Sequence, residues 1–261
     1  MSSVRERAAA RPRGRHLLRS SRLADAIVRD ACVEAGDLVV DVGAGSGMLT
    51  AALLRAGARV VALEPDRRLA ARLRRACPAA EVVEADALGW TWPSEPFRVV
   101  ANVPFALTTE FERLLLSDPR QPLRSADLVV QWEAADKRAR LWPSTVLGVL
   151  WSAWYELDVV RRIAPAAFAP RPSVAAAVLA ARRRPEPLVP AAQAPAYAAF
   201  LERSFRAGGL PRHARALIPA LGLDPHADPR DLDARAWAAV WRETSAAPRT
   251  VSRMHRRGRR R

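Results

Sequence analysis

Leu38-Val39-Val40-Asp41-Val42-Gly43-Ala44-Gly45-Ser46-Gly47 is the stretch on which the fold turns. An apolar run enters an aspartate and then meets three glycines at every second position. Such a run suits a strand buried on both faces, and glycines at its end let the backbone approach a ligand closely. A helix is expected directly after it, over residues 49–54, closed by Gly57. The unit then repeats. Residues 59–63 read as a second strand ending at Glu64, and residues 66–77 as a helix with Leu69 and Leu73 inward. Residues 81–84 form a third strand ending near Asp86, and residues 97–101 a fourth ending at Asn102. Alternating strands and helices specify an α/β fold with a doubly wound, mostly parallel sheet. Ligands bind such sheets at the carboxyl ends of the strands, where these acidic and amide residues stand.

Outward from this core, Ser20 or Ser21 can cap a helix carrying Leu23, Ala26, Ile27 and Cys32 on one side, broken at Gly36–Asp37. Downstream, a helix is expected over 108–116 and a fifth strand over 128–130. Residues 155–163 and 173–182 read as a closing antiparallel pair. The proline-rich residues 183–195 read as a linker to helical stretches near 195–206, 211–221 and 233–243. The chain thus divides into a basic flexible arm (1–14), an α/β unit (15–184), a small helical unit (185–250) and an Arg-rich tail (251–261).

A length of 261 residues, half of them hydrophobic, fits one α/β domain with a small appendage. No run of eighteen apolar residues occurs, so no membrane span is expected. The Arg-rich start lacks the apolar stretch of a secretory signal. Cys32 and Cys77 lie far apart and outside any metal-ligand spacing, which argues against zinc and against a disulfide framework. No metal is expected, and a reducing cytoplasm is the simplest compartment. The net charge is +15, with Lys137 the sole lysine. A GC-rich genome explains arginine over lysine, but not the excess of cations. A polyanionic partner does.

The Asp41–Gly47 loop lacks the final glycine of the dinucleotide fingerprint, so a methionine-type ligand fits better than a diphosphate. Glu64 can accept hydrogen bonds from both ribose hydroxyls of such a ligand, and Asp86, beside Ala87, one from an adenine amino group. Asn102-Val103-Pro104-Phe105 decides the chemistry. The amino group of adenine is a weak nucleophile because its lone pair is delocalised into the ring. Acceptors on both N–H bonds favour a pyramidal nitrogen and aim its lone pair at a methyl sulfonium. The Asn102 side-chain oxygen and the Val103 carbonyl can supply them, Pro104 fixes the turn, and Phe105 stacks on the extruded base. Phe168, in Phe168-Ala169-Pro170-Arg171-Pro172-Ser173-Val174, offers a second aromatic for the other face of the base or a structural turn.

On these motifs the chain resembles the Erm family of 23S rRNA adenine-N6 methyltransferases, within the rRNA adenine dimethylase superfamily. The likeness runs from about Gly14 to Arg184 and, more weakly, through Tyr197–Phe200 and the helical tail. It implies a seven-stranded, Rossmann-like sheet of the class I S-adenosylmethionine methyltransferases, with a small α-helical RNA-binding domain. It also implies that the backbone near His16 and Leu18 closes over the methionine end of S-adenosylmethionine. Asp41, Gly43, Gly45 and Gly47 would line the cofactor, Glu64 would hold its ribose and Asp86 with Ala87 its adenine. Asn102 and Phe105 would hold the target base. The implied substrate is an adenine of the peptidyl-transferase region of 23S rRNA, protein-free or in a precursor, modified by a monomeric enzyme. Its methylation would block macrolides, lincosamides and streptogramin B. One departure stands out: Arg15-His16-Leu17 occupies the place where the family usually has Gln-Asn-Phe. Two other readings remain open, a small-subunit rRNA dimethylase and a non-catalytic nucleic-acid binder of the same fold. The first usually carries Asn-Leu-Pro-Tyr, and the second predicts loss of Glu64, Asp86 or Asn102.

Overall fold

The computed structural model describes residues 16–142, 144–207, 222 and 228–246. The arm 1–14, the tail 251–261 and the stretch expected to be helical at 211–221 lie outside the described residues. A two-residue strand, β1 (Leu17–Leu18), precedes α1 (Ser21–Asp30). Strands and helices then alternate through β2 (Leu38–Val42), α2 (Met48–Arg55), β3 (Arg59–Leu63), α3 (Arg67–Ala76) and β4 (Glu81–Val83). β5 (Phe97–Asn102), α4 (Thr108–Leu116) and β6 (Leu123–Gln131) follow. Next come α5 (Trp132–Ala139), α6 (Val146–Ser152), β7 (Tyr155–Ile163), β8 (Phe168–Ala169) and β9 (Ala176–Arg183). Two helices close the described chain, α7 (Ala194–Arg206) and α8 (Ala234–Ala246).

Seven strands form one sheet in the order β4-β3-β2-β5-β6-β9-β7. β2 to β6 pair in parallel, and β9 runs antiparallel to both β6 and β7, as the closing pair was expected to do. All five residues of β2 are buried, which is why its sequence shows no polar alternation. Local chemistry sets the helix starts. The Ser20 hydroxyl accepts the Leu23 N–H at 3.3 Å, and Asp66 accepts those of Arg68 and Leu69 at 2.9 and 3.1 Å.

Several elements differ from expectation. α1 ends at Asp30, well short of Gly36, because Cys32 takes a left-handed φ of 50°. Its inward residues are Ala24, Ile27 and Val28, and Cys32 is exposed. On α3, Ala70 and Leu73 are buried while Leu69 is half-buried. β6 is nine residues long and contains the expected 128–130. α5 and α6 stand where the sequence showed no period. β1 pairs antiparallel with β8 in a separate two-stranded ribbon, Leu17 opposite Ala169 and Leu18 opposite Phe168.

The C-terminal helices share the main apolar core. Tyr197, Phe200, Leu201, Trp237 and Val240 belong to the same buried cluster as Trp151 and Trp154. The proline-rich connection is tied down as well. The Trp154 indole N–H donates to the Val189 carbonyl at 2.7 Å, and the Leu188 N–H to that of Ala153 at 2.8 Å.

Candidate active site

β2, β3, β4 and β5 deliver Asp41, Glu64, Asp86 and Asn102 to one edge of the sheet, at or just past their carboxyl ends. Asp41 is 1 % exposed, and its Oδ2 accepts the Thr50 hydroxyl of α2 at 2.6 Å. Burial pushes its carboxyl up to about 7, helped by the nearby Glu64 charge and opposed by the hydrogen bonds from Thr50. Glu64 is also 1 % exposed. Its two oxygens accept the N–H groups of Gly45 and Asp66, both at 2.9 Å, which fixes the glycine loop to the end of β3. Asp86 is exposed and accepts the Leu88 N–H at 3.0 Å through Oδ1, capping a 3-10 turn that begins at the buried Ala87.

The glycine loop needs its glycines. Gly47 has φ +81°, and a Cβ there would lie 2.6 Å from Leu73 Cδ1, a buried atom of α3. Gly47→Ala is therefore expected to lower stability by about 2–3 kcal/mol through left-handed strain and overlap. Urea denaturation checks this, and a change below about 0.5 kcal/mol would contradict the packing. Gly45, at φ +54°, supports Leu17: a Cβ there would come within 2.9 Å of Leu17 Cδ2. Leu17, Leu18, Asp41, Gly43 and Asn102 line a cleft of about 20 Å³. Gly45, Gly47, Glu64, Asp86 and Ala87 are absent from that lining.

Asn102 ends β5, and its Nδ2 donates to the His16 carbonyl at 2.7 Å. That bond fixes the orientation of the amide and leaves its oxygen as the acceptor on the side away from His16. The backbone near His16, expected to close over a cofactor, here offers its carbonyl to Asn102. The His16 Nδ1 lies 2.7 Å from the Pro170 carbonyl, in the segment that follows β8. Its ring stands 5.2 Å from Phe105, tilted by 44°. Val103 is buried and its N–H donates to Val129 of the neighbouring strand at 3.2 Å. Pro104, at φ −55°, turns the chain into the 3-10 segment Phe105–Leu107, where Phe105 is half-buried. Phe168 is 1 % exposed and meets Phe105 edge-on, 6.5 Å away at 73°. Its ring packs with the α1–α2 core and backs Phe105 from strand β8.

Comparison with known proteins adds the identity of this arrangement. The profile of a family described as ribosomal RNA adenine dimethylase matches residues 9–208. The chain belongs to that family. As a member it is an enzyme that methylates adenine in ribosomal RNA. An rRNA adenine N-6-methyltransferase of Corynebacterium diphtheriae is 33 % identical over 198 residues, 75 % of this chain and 77 % of its own length. The mycinamicin-resistance protein MyrB of Micromonospora griseorubida is 34 % identical over 268 aligned positions, 93 % of this chain and 85 % of that one. The crystal structure of the 23S rRNA methyltransferase ErmE matches with a TM-score of 0.76 at 28 % identity, over 88 % of this chain and 99 % of that one. The seven-stranded mixed sheet is thus the class I methyltransferase fold of this family.

Sequence reasoning named most of these residues but missed two. Thr50, which holds Asp41, is a buried hydroxyl nine positions on, at an inward position of α2, and that placement was its only signal. Leu17, which covers the glycine loop, stood in the Arg15-His16-Leu17 departure, but nothing there pointed to its side chain. Among the described residues, no helix is long and apolar enough to cross a membrane, and no group of three or more His, Cys, Asp or Glu side chains could hold a metal ion.

Proposed function

We propose that the enzyme transfers a methyl group from S-adenosylmethionine to N6 of an adenine in the peptidyl-transferase region of 23S rRNA, and so confers resistance to macrolides, lincosamides and streptogramin B. The observation that carries the reading is the Asn102 amide, whose donor side is held by His16 while it lines the cleft beside the glycine loop. S-adenosylmethionine supplies a methyl group made electrophilic by the sulfonium. The donor set suits it: carboxylates stand at the ends of three neighbouring strands, matching an ammonium, a ribose diol and an adenine amine. A cleft of about 20 Å³ holds about one water, so this ligand requires Leu17 to lift from Gly45.

The protein's own part is positioning and electrostatics. The Asn102 oxygen and the Val103 carbonyl accept the two amino hydrogens of the target base and aim its lone pair outward. Phe105, backed by Phe168, stacks on the base once it leaves its helix. The proton leaves nitrogen after transfer, so no general base is needed beforehand. The helices beyond residue 185 are assigned to RNA binding, in a cytoplasmic monomer.

The test is mass spectrometry of digested large- and small-subunit rRNA from a macrolide-sensitive host with and without the gene, alongside macrolide sensitivity. A methylated adenine confined to 23S rRNA, with raised resistance, is the expected result. Methylation confined to the small-subunit RNA would overturn the 23S assignment and favour a maturation enzyme.

A further inference from the structure

A base stacked by one face on Phe105 has a second face open to water. Covering both faces keeps an extruded base flat and its amino group aimed. Phe168 cannot cover the second face, because it is 1 % exposed and packs behind Phe105 in the α1–α2 core. Among the described residues, one other ring lies against Phe105. It is that of His16, with centroids 5.2 Å apart and planes tilted by 44°. At this separation two rings are in ordinary aromatic contact. The His16 ring thus makes with Phe105 the contact that a base would make. The two planes form a wedge. A base between two parallel rings needs roughly 7 Å, twice the 3.4 Å rise of stacked bases, so the wedge has to open by about 2 Å.

Which ring gives way follows from what holds each. Phe105 is backed edge-on by Phe168 at 6.5 Å, in a close-packed core with little room to yield. The His16 ring is half-buried, and its Nδ1 is bonded to the Pro170 carbonyl at 2.7 Å. A carbonyl only accepts, so Nδ1 carries the hydrogen in that bond. Pro170 is exposed, so water takes over both partners when the bond opens and the net cost is small. The backbone of His16 is held independently. Its carbonyl accepts the Asn102 Nδ2 at 2.7 Å, and the next residue, Leu17, is paired with Ala169. The ring can therefore swing about a fixed main chain. His16 also touches both groups assigned to the target base, Asn102 through its carbonyl and Phe105 through its ring. It is the middle residue of Arg15-His16-Leu17, the stretch in which this chain departs from its family's usual pattern.

Resting on the reading of Asn102 and Phe105 as the groups that hold the target adenine, we propose that the His16 side chain is the second ring of the base clamp. It rests on Phe105 before the base arrives and covers the other face of the adenine after it enters. The base is then held at its edge by Asn102 and Val103 and on its faces by Phe105 and His16. Before that, the contact keeps the Phe105 face out of water, and the slot needs little ordering when the base comes.

Three variants separate stacking from latching. His16→Phe keeps a ring but cannot donate to Pro170. His16→Asn lacks the ring but keeps an N–H that can reach that carbonyl. His16→Ala lacks both. The measurement is single-turnover transfer of labelled methyl to protein-free large- and small-subunit rRNA, at saturating cofactor and RNA. His16→Ala and His16→Asn are expected to lower the rate about tenfold, the scale of one base–aromatic stack, and His16→Phe to stay within about threefold of the parent. Cofactor affinity, by calorimetry, is expected to be the same in all three, because the side chain acts on the base. A rate restored by asparagine and not by phenylalanine would make the Pro170 bond the working part and overturn the stacking role. Equal losses in all three variants, or none in any, would overturn it too, as would a fall in cofactor affinity that matches the fall in rate. Phe105→Ala is measured alongside. If it keeps the parent's rate, the reading of the base site fails. If it loses rate while His16→Ala does not, only the role of His16 fails. The comparison is made on whichever rRNA the parent methylates, so modification of small-subunit RNA alone refutes the 23S assignment and leaves the test of His16 intact.

Discussion

Asn102→Ala is expected to lower kcat for methyl transfer by about 10²–10³-fold, the scale of losing one preorganised polar group at a reacting centre. The amide has two sides with two tasks. Its Nδ2 is bonded to the His16 carbonyl at 2.7 Å, which leaves its oxygen as the acceptor for the proposed base. Alanine removes both, yet β1 stays in place. Leu17 and Leu18 remain paired with β8, and the Arg19 N–H still donates to the Ala167 carbonyl at 3.0 Å. Cofactor affinity is therefore expected to change little, so the loss falls on kcat and not on binding. Asn102→Asp sharpens the point. It keeps acceptor oxygens but sets one against the His16 carbonyl, acceptor facing acceptor, and is expected not to restore the rate. Single-turnover transfer of labelled methyl, with calorimetric titration of the cofactor, checks both. A rate for Asn102→Ala within about tenfold of the parent would remove Asn102 from the chemistry.

The sheet edge that carries these residues was legible because a parallel sheet advertises itself. β2, β3 and β5 each carry an apolar run of three or four residues, with a carboxylate or amide directly after it at the same geometric edge. What closes the site was not legible. β1 and β8 are two residues each and about 150 positions apart, too short for any period, so neither their pairing nor the placing of Leu17 on Gly45 had a local signature. Phe168 read either as a second aromatic for the base or as part of a structural turn. Its burial depends on the α1–α2 core that packs around it, which sequence spacing does not reveal. α6 escaped notice for a different reason. Its seven residues are nearly all apolar, and a short apolar run reads equally as strand or buried helix. α5 is half charged, with Ala135 alone buried, so it shows almost no hydrophobic face.

Asp41→Asn is expected to remove most of one pH-dependent contribution to stability. Burial holds the Asp41 carboxyl near 7 in the folded protein, against an ordinary value of 3.8. The folded state therefore keeps a proton that the unfolded chain releases between about pH 4 and 7. Stability from this group is fully present below the unfolded value and declines as pH rises, until it is lost above about 7. At about 1.4 kcal/mol per pH unit, the decline amounts to roughly 4 kcal/mol. Asparagine mimics the protonated acid and can still accept the Thr50 hydroxyl, which lies 2.6 Å from Asp41 Oδ2. Relative to the parent, the variant should thus gain stability by up to that amount between pH 4.5 and 8. Subtracting the two profiles cancels Glu112 and Asp127, whose carboxyls burial also raises. A cationic ligand entering the cleft that Asp41 lines favours the carboxylate and must expel the same proton. Cofactor affinity should then rise with pH up to about 7 in the parent and stay flat in the variant. Urea denaturation across pH, with calorimetry in two buffers of different ionisation enthalpy, reads both effects. Parallel stability profiles for parent and variant would show that Asp41 titrates normally, and the absence of proton release on binding would place the ligand's positive charge elsewhere.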